Sequence, residues 1–312
     1  MLMREVIDAF ELIDRADASG KIIYDYFKSQ LPEFLPTVVT EKSDLGSTDV
    51  VEWVIPGSEG AIAGGKAPTL AIVGRLGGVG CRPAAIGTVS DADGAIIAVA
   101  AAMKLSRASL RGDKCKGDVK IVTHICPNAP TKDFPVKGQM QCPIPIDVIL
   151  RKYESPKADA LLSVDTTRGL IVLSHTGMAI TSTLVNGYLM RVSDDLMEIM
   201  ANVTNEAPVV LPITMQDITP YGTGVYHINS IMQPGTVFDG PVVGVATVAK
   251  YRVPGRATSA STPNTLEETT RFCVEVARRY GDGKVEFYDK SQYELMQKLY
   301  GSVEFLVGKG KR

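Results

Sequence analysis

No hydrophobic run in the 312-residue chain approaches the roughly 20 residues of a membrane-spanning helix. The opening Met1-Leu2-Met3-Arg4-Glu5 also lacks the basic-then-apolar layout of a secretory signal. These absences argue against membrane insertion and export, and the expectation is a cytoplasmic protein. Charge of one sign is missing too: 33 Lys and Arg stand against 35 Asp and Glu, for a net charge of −2. The one clearly basic run is Lys309-Gly310-Lys311-Arg312, so nucleic acid is not an expected partner. Cysteine is sparse. Cys81, Cys115, Cys126, Cys142 and Cys273 are odd in number and show no CxxC spacing, which argues against both a disulfide framework and a thiolate zinc site. Neither a GxGxxG fingerprint nor a GxxxxGK[ST] loop occurs. What remains is an ordinary globular composition, 45% hydrophobic and 22% charged, with only three histidines.

Apolar spacing divides the chain into alternating elements. Over 4–30, Val6, Ile7, Phe10, Leu12 and Ile13, then Ile22, Ile23, Tyr26 and Phe27, recur at helical intervals around Asp17-Ala18-Ser19-Gly20. This predicts a helix, a turn and a second helix. Residues 38–40 and 50–55 read as strands, the second ended by Pro56-Gly57-Ser58. Leu70-Ala71-Ile72-Val73-Gly74 is a short unbroken apolar run of the kind that makes a buried strand. A helix opening near Asp91 and a strand at 119–123 follow it, which is a parallel crossover unit. Further strands are predicted at 160–164 and 242–246, with helices at 193–203, 223–232, 265–280 and 290–300. There is no repeat, low-complexity tract or long linker. Residues 1–312 are therefore expected to form a single three-layer α/β domain with a mostly parallel or mixed central sheet. A helical N-terminal region at 4–30 and C-terminal helices over 265–300 complete it.

Sites in open α/β sheets gather beyond the carboxyl ends of strands. Arg75 with Gly77-Gly78-Val79-Gly80 follows the 70–74 strand, His124 with Cys126-Pro127-Asn128 follows 119–123, and Asp165-Thr166-Thr167 follows 160–164. A fourth cluster, Gln216-Asp217-Ile218-Thr219-Pro220-Tyr221-Gly222-Thr223-Gly224, precedes His227 and Asn229. Val89-Ser90-Asp91-Ala92-Asp93-Gly94-Ala95 stands where a loop becomes an apolar helix, and helix N-termini favour carboxylates. One reading of that motif is capping by Ser90 or Asp91 with Asp93 in the first turn. The other is metal ligation, because Asp91, His124 and Asp165 together are a sensible donor set for zinc, manganese or cobalt. Gly77–Gly80 admits a phosphate cradle with Arg75 or Arg82, although Cys81-Arg82-Pro83 follows where a helix is needed. Cys126, beside a proline, is read as a structural thiol rather than a nucleophile. Arg75 either anchors a substrate carboxylate or pairs with a neighbouring Asp.

The motifs Ile72-Val73-Gly74-Arg75-Leu76-Gly77-Gly78, Val89–Ala95, Thr123-His124-Ile125-Cys126-Pro127, Ser163-Val164-Asp165-Thr166-Thr167 and Gln216–Gly222 span nearly the whole chain. In them the chain resembles a bacterial and archaeal family catalogued as a domain of unknown function, DUF1177. More distantly, the layout is similar to that of the zinc-dependent exopeptidases, above all the cocatalytic aminopeptidases, a hydrolase-like fold. Glu11-Leu12-Ile13, Ala18-Ser19-Gly20 and Ile22–Phe27 resemble their opening helix, turn and second helix. Asp91 with Gly94-Ala95 resembles their bridging aspartate, Asp165 resembles a metal-binding aspartate at a strand end, and His124 falls near their paired glutamates. Their strand-end histidine is Arg75 here, the Glu-Glu pair is missing, and Pro254–Ser259 stands where a last histidine would follow the 242–246 strand.

Two functions lead the expectations, with non-hydrolytic chemistry such as lyase or isomerase work as a third possibility. In the first, a metal-dependent hydrolase acts on an amide or peptide bond of a small molecule or short peptide. Asp91, His124 and Asp165 hold the ion, Asp217 or Asp93 is the base, and Arg75 holds a substrate carboxylate. Asp217 is preferred, because a helix-dipole role already accounts for Asp93. In the second, a non-catalytic protein on a metallopeptidase-like scaffold binds a small molecule through Arg75, Asp165 and the 216–224 loop. A homo-oligomer is expected from the prevalence of symmetric assemblies. His175 and His227 receive no role.

Overall fold

In the computed structural model, residues 2–75, 77–83, 86–132, 139–168, 173–213, 229–250 and 262–303 are described. The N-terminal helical spacing becomes α1 (Met3–Ile13) and α2 (Gly20–Gln30), and Ser19 caps α2 by accepting from Ile22 N at 3.4 Å. β1 (Thr37–Ser43) and β2 (Gly46–Ile55) form an antiparallel hairpin. β3 (Leu70–Gly74), α3 (Asp93–Leu110) and β4 (Val119–Ile125) form the first crossover unit. The short hairpin β5 (Thr131–Lys132) and β6 (Gln139–Met140) leads to α4 (Ile146–Lys152) and β7 (Ala160–Arg168). Next come β8 (Gly177–Ile180), β9 (Leu184–Val185), β10 (Tyr188–Leu189), α5 (Asp194–Thr204), β11 (Val242–Ala249), α6 (Pro263–Gly281) and α7 (Lys290–Tyr300). Nine strands make one sheet in the order β1-β2-β4-β3-β7-β11-β9-β10, with β8 also paired to β11. β4, β3, β7 and β11 are parallel and their flanks antiparallel, so the sheet is mixed.

Strand periodicity sends successive side chains to opposite faces and so builds three layers. Leu70, Ile72, Ile121, Leu162 and Val243 pack with α1, α3 and α6 on one face. Ala71, Val73, Val122, Leu161 and Ala246 pack on the other with Ile149 of α4 and with Ile231 and Met232 of a 3₁₀ segment, Ser230–Thr236. α3 is apolar on nearly every side, as its central position demands, and Ala98, Ala100, Ala101 and Ala102 are wholly buried. Its start lies directly over the carboxyl ends of β3 and β7. A Cβ on Gly94 would sit 2.0 Å from the Arg75 carbonyl oxygen and 2.7 Å from that of Val164. Arg107 of α3 donates to Glu5 at 2.9 Å, Asp8 at 3.0 Å and Tyr26 at 2.9 Å, tying α1 and α2 to it.

The structure departs from expectation where elements are short or punctuated by proline. The predicted helix at 223–232 is described only from 229, and there it is the 3₁₀ segment Ser230–Thr236; Pro234 inside it has no N–H for an α-helical bond. β8, β9, β10 and α4 are too short for periodicity to reveal. Neither Ser90 nor Asp91 caps α3. Ser90–Ala92 form a separate 3₁₀ turn, the N-cap position is Ala92 with no side-chain bond, and Asp93 lies in the first turn as expected. No helix among the described residues is long and apolar enough to cross a membrane.

Candidate functional site

The parallel register pairs Gly74 with Thr123 on one side and with Val164 on the other. One residue further on, Arg75, His124 and Asp165 therefore stand abreast at the carboxyl edge of the sheet. Strand periodicity puts all three on the face covered by α4 and the Ser230–Thr236 segment. β3 lies between β4 and β7, so Arg75 is the middle member of the row.

Arg75 has no exposed surface. Its Nη1 donates to the Ser230 carbonyl oxygen at 2.6 Å and its Nη2 to Gln233 Oε1 at 3.0 Å. Nε lies 3.4 Å from Oε2 of Glu154, which is itself buried just past the end of α4. Ser230 Oγ donates to Asp165 Oδ2 at 3.1 Å, and Thr166 N donates to Asp165 Oδ1 at 2.7 Å. His124 is buried with Nδ1 3.4 Å from Thr48 Oγ1, and its ring lies against Gly77, where an added Cβ would come within 2.2 Å of Nδ1. Gly77 also needs its glycine for a φ of +74°. Burial first, and the Arg75 charge second, push His124 down to about 3, so the imidazole is neutral. Burial raises the Glu154 carboxyl, with the Arg75 charge opposing. The gap bounded by His124, Glu154, Tyr153 and Val73 has no room for a water molecule.

The other predicted site residues fall elsewhere or serve the framework. Asp93 is buried on the opposite face of the sheet and accepts from Thr247 Oγ1 at 2.6 Å. Asp91 is half-buried in the 3₁₀ turn before α3. Asp217 and His227 lie outside the described residues. The guanidinium of Arg75, expected on a substrate carboxylate or a neighbouring Asp, is instead engaged by Ser230, Gln233 and Glu154. Gly77–Gly80 is not an open phosphate cradle, because its backbone continues the pairing of β3 with β4. Cys126 N donates to Gly77 O at 2.8 Å, Val79 N to Cys126 O at 3.1 Å and Ala129 N to Gly80 O at 3.0 Å. Arg82 is turned to the Asp14 carbonyl oxygen at 2.8 Å. Burial pushes the Cys126 thiol up to about 11, the opposite of an activated nucleophile.

The residues around Arg75 do not fit a metal. A neutral imidazole whose Nε2 has no partner among the described residues is the form that ligates, yet no three His, Cys, Asp or Glu among the described residues converge to hold an ion. Positive charge at the centre of the row is already supplied by Arg75. Sequence reading missed Glu154, Ser163, Ser230 and Gln233. Only Ser163 carried a signal, a lone hydroxyl inside the apolar run Ala160-Leu161-Leu162-Ser163-Val164. The others come from segments that only the folded chain brings to β3.

The chain belongs to the family described as Protein of unknown function (DUF1177), which matches residues 39–310. No curated protein matches it in sequence. Among solved structures it is similar to the LapA aminopeptidase of Legionella pneumophila, at 12% identity over 88% of this chain and 70% of that chain, with a TM-score of 0.45. It is similar to the glutaminyl cyclase of Porphyromonas gingivalis at 11% identity over 91% and 97% of the two chains, with a TM-score of 0.48. A TET aminopeptidase from a marine sediment archaeon of the Thaumarchaeota shares 12% identity over 90% and 99%, with a TM-score of 0.43. At these scores the likeness carries no argument about reaction, metal or assembly.

Proposed function

We propose that this member of the family binds a small polar molecule of the amide class at the carboxyl edge of β3, β4 and β7, beneath α4 and the Ser230–Thr236 segment. One observation carries the reading. His124 Nε2, Ser163 Oγ, Gln233 Nε2 and both Glu154 carboxyl oxygens are buried with no hydrogen-bond partner among the described residues. Buried polar groups are ordinarily paired, and leaving one unpaired costs about 1–3 kcal/mol. Gln233 and Glu154 meet the Arg75 guanidinium, His124 stands beside it at the strand edge, and Ser163 lies on the same sheet face opposite Val73, so these unpaired atoms are gathered in one region of the fold. A carboxamide supplies partners: the carbonyl oxygen accepts from Gln233 Nε2 and Ser163 Oγ, and the amide N–H donates to Glu154. Arg75 then acts through Glu154 and Gln233, since its own donors are directed at the protein. The closed gap beside Glu154 means that the segment after α4, or the Ser230–Thr236 segment, must shift to admit the ligand.

The test is ligand-observed NMR with a panel of small carboxamides and dipeptides against the wild type, Ser163→Ala and Gln233→Leu. Binding to the wild type that weakens about tenfold in each variant is expected, one lost hydrogen bond being worth about that factor. No binder, or binders indifferent to both substitutions, would overturn the reading.

A second reading, metal-dependent hydrolysis of an amide or peptide bond, is favoured by the neutral His124 imidazole. It requires Asp91, His124 and Asp165 around one ion, zinc, manganese or cobalt, with Asp217 as base, since Asp93 is buried on the other face of the sheet. Stoichiometric transition metal in protein purified without an affinity tag, lost in His124→Ala, would select it. A cytoplasmic homo-oligomer is proposed alongside, to be checked by cell fractionation and light scattering.

A further inference from the structure

We infer that Arg75 is a resident cation: its guanidinium occupies the ground at the carboxyl edge of β3 where an ion touching both His124 and Asp165 would have to stand, so that this pole is built to work without a metal. The inference does not rest on the ligand proposed above.

β4 and β7 are separated by β3, and their candidate donors, His124 and Asp165, stand on the same face at the level of Arg75. An ion shared by the two must lie over β3, where the Arg75 side chain already sits, wholly buried. Like charge makes the exclusion stronger than sterics alone, because a divalent cation beside a desolvated guanidinium is repelled in a medium that screens poorly.

The same side chain also performs the cross-linking that a structural metal performs. Its fork reaches the Ser230 carbonyl oxygen at 2.6 Å and Gln233 Oε1 at 3.0 Å, while Nε faces Glu154 at 3.4 Å. Three separate parts of the chain, the strand, the end of α4 and the 3₁₀ segment, are thereby joined at one planar charge. Ser230 passes the connection on to Asp165 through its hydroxyl. Only arginine presents donors in a rigid plane toward three partners, so lysine is a poor replacement.

The test measures melting of the full chain. Wild type should show no stoichiometric transition metal and an unchanged midpoint with either chelator or zinc. Arg75→Gly should melt about 6–10 °C lower, as expected when a buried carboxylate loses its partner. Millimolar methylguanidinium should recover several degrees in Arg75→Gly and none in wild type, while methylammonium should recover none in either. Should Arg75→Gly fail to fold, Arg75→Met and the double variant Arg75→Met/Glu154→Met take its place, and the double variant should melt higher than the single one. A wild type that binds stoichiometric metal through His124, a methylguanidinium shift equal in variant and wild type, or a double variant no more stable than Arg75→Met would each overturn the inference.

Discussion

Replacing His124 with Phe tests the electrostatics of the buried row through protons rather than ligands. The substitution keeps a flat ring against Gly77 and removes the ring nitrogens, one of which lies buried without a partner among the described residues. In the folded chain the imidazole is held down to about 3 by burial and by the Arg75 charge, against an ordinary value of 6.5. Between those two values the unfolded chain takes up a proton that the folded chain refuses. Wild-type stability therefore rises with pH through this window and is lost as acid is added. One pH unit at full slope is worth about 1.4 kcal/mol, so between about pH 6.5 and pH 4 the wild type should lose about 3 kcal/mol that His124→Phe keeps. Glu154 works with the opposite sign, since its raised carboxyl favours the folded state at low pH and that contribution fades as pH rises through its folded value. Its effect is largely common to both proteins and drops out of the difference. Urea unfolding of the two proteins at several pH values from about 7 to 4 reads that difference directly. Parallel stability curves would show that His124 titrates normally in the folded protein, and the account of a desolvated imidazole beside a fixed guanidinium would fail.

Other perturbations probe the framework that positions the row. Gly94→Ala drives a methyl to 2.0 Å from the Arg75 carbonyl oxygen, a backbone atom with nowhere to retreat, so a loss of about 3 kcal/mol or more is expected in thermal or urea unfolding. A variant as stable as wild type would mean that α3 does not start over β3. Burial pushes the Cys126 thiol up to about 11 and the Cys142 and Cys273 thiols up to about 12, so alkylation of native protein near pH 8 should be far slower than in denaturant when followed by mass spectrometry. Rapid native labelling of Cys126 would restore it as a candidate nucleophile.

The legible part of this protein is the part fixed by local pattern. Leu70–Gly74 reads as a buried strand because both its faces are covered, and the bounds found are those predicted. The rule that sites lie beyond strand ends then picks out Arg75, His124 and Asp165, and the register does set them abreast. What the pattern left open was face and partner. Asp93 and Asp165 are the same residue type, equally buried and both near the same sheet edge, yet one accepts from Thr247 on the α3 side and the other from Ser230 on the α4 side. Alternation groups Asp165 with Leu161 and Ser163 on one face of β7, but because both faces of that strand are buried it does not say which layer covers that face. The partners of Arg75 are further still from local pattern, with Ser230 at 155 and Gln233 at 158 residues along the chain. An arginine after a strand is compatible with a substrate carboxylate, a neighbouring acid or a wholly internal anchor. Which of these it becomes depends on whether α4 and the Ser230–Thr236 segment close over it. They do, with Glu154 brought in behind them, and that closure turns a residue that looked outward in the sequence into a buried charge that adds to burial in pushing His124 down and opposes the rise that burial gives Glu154.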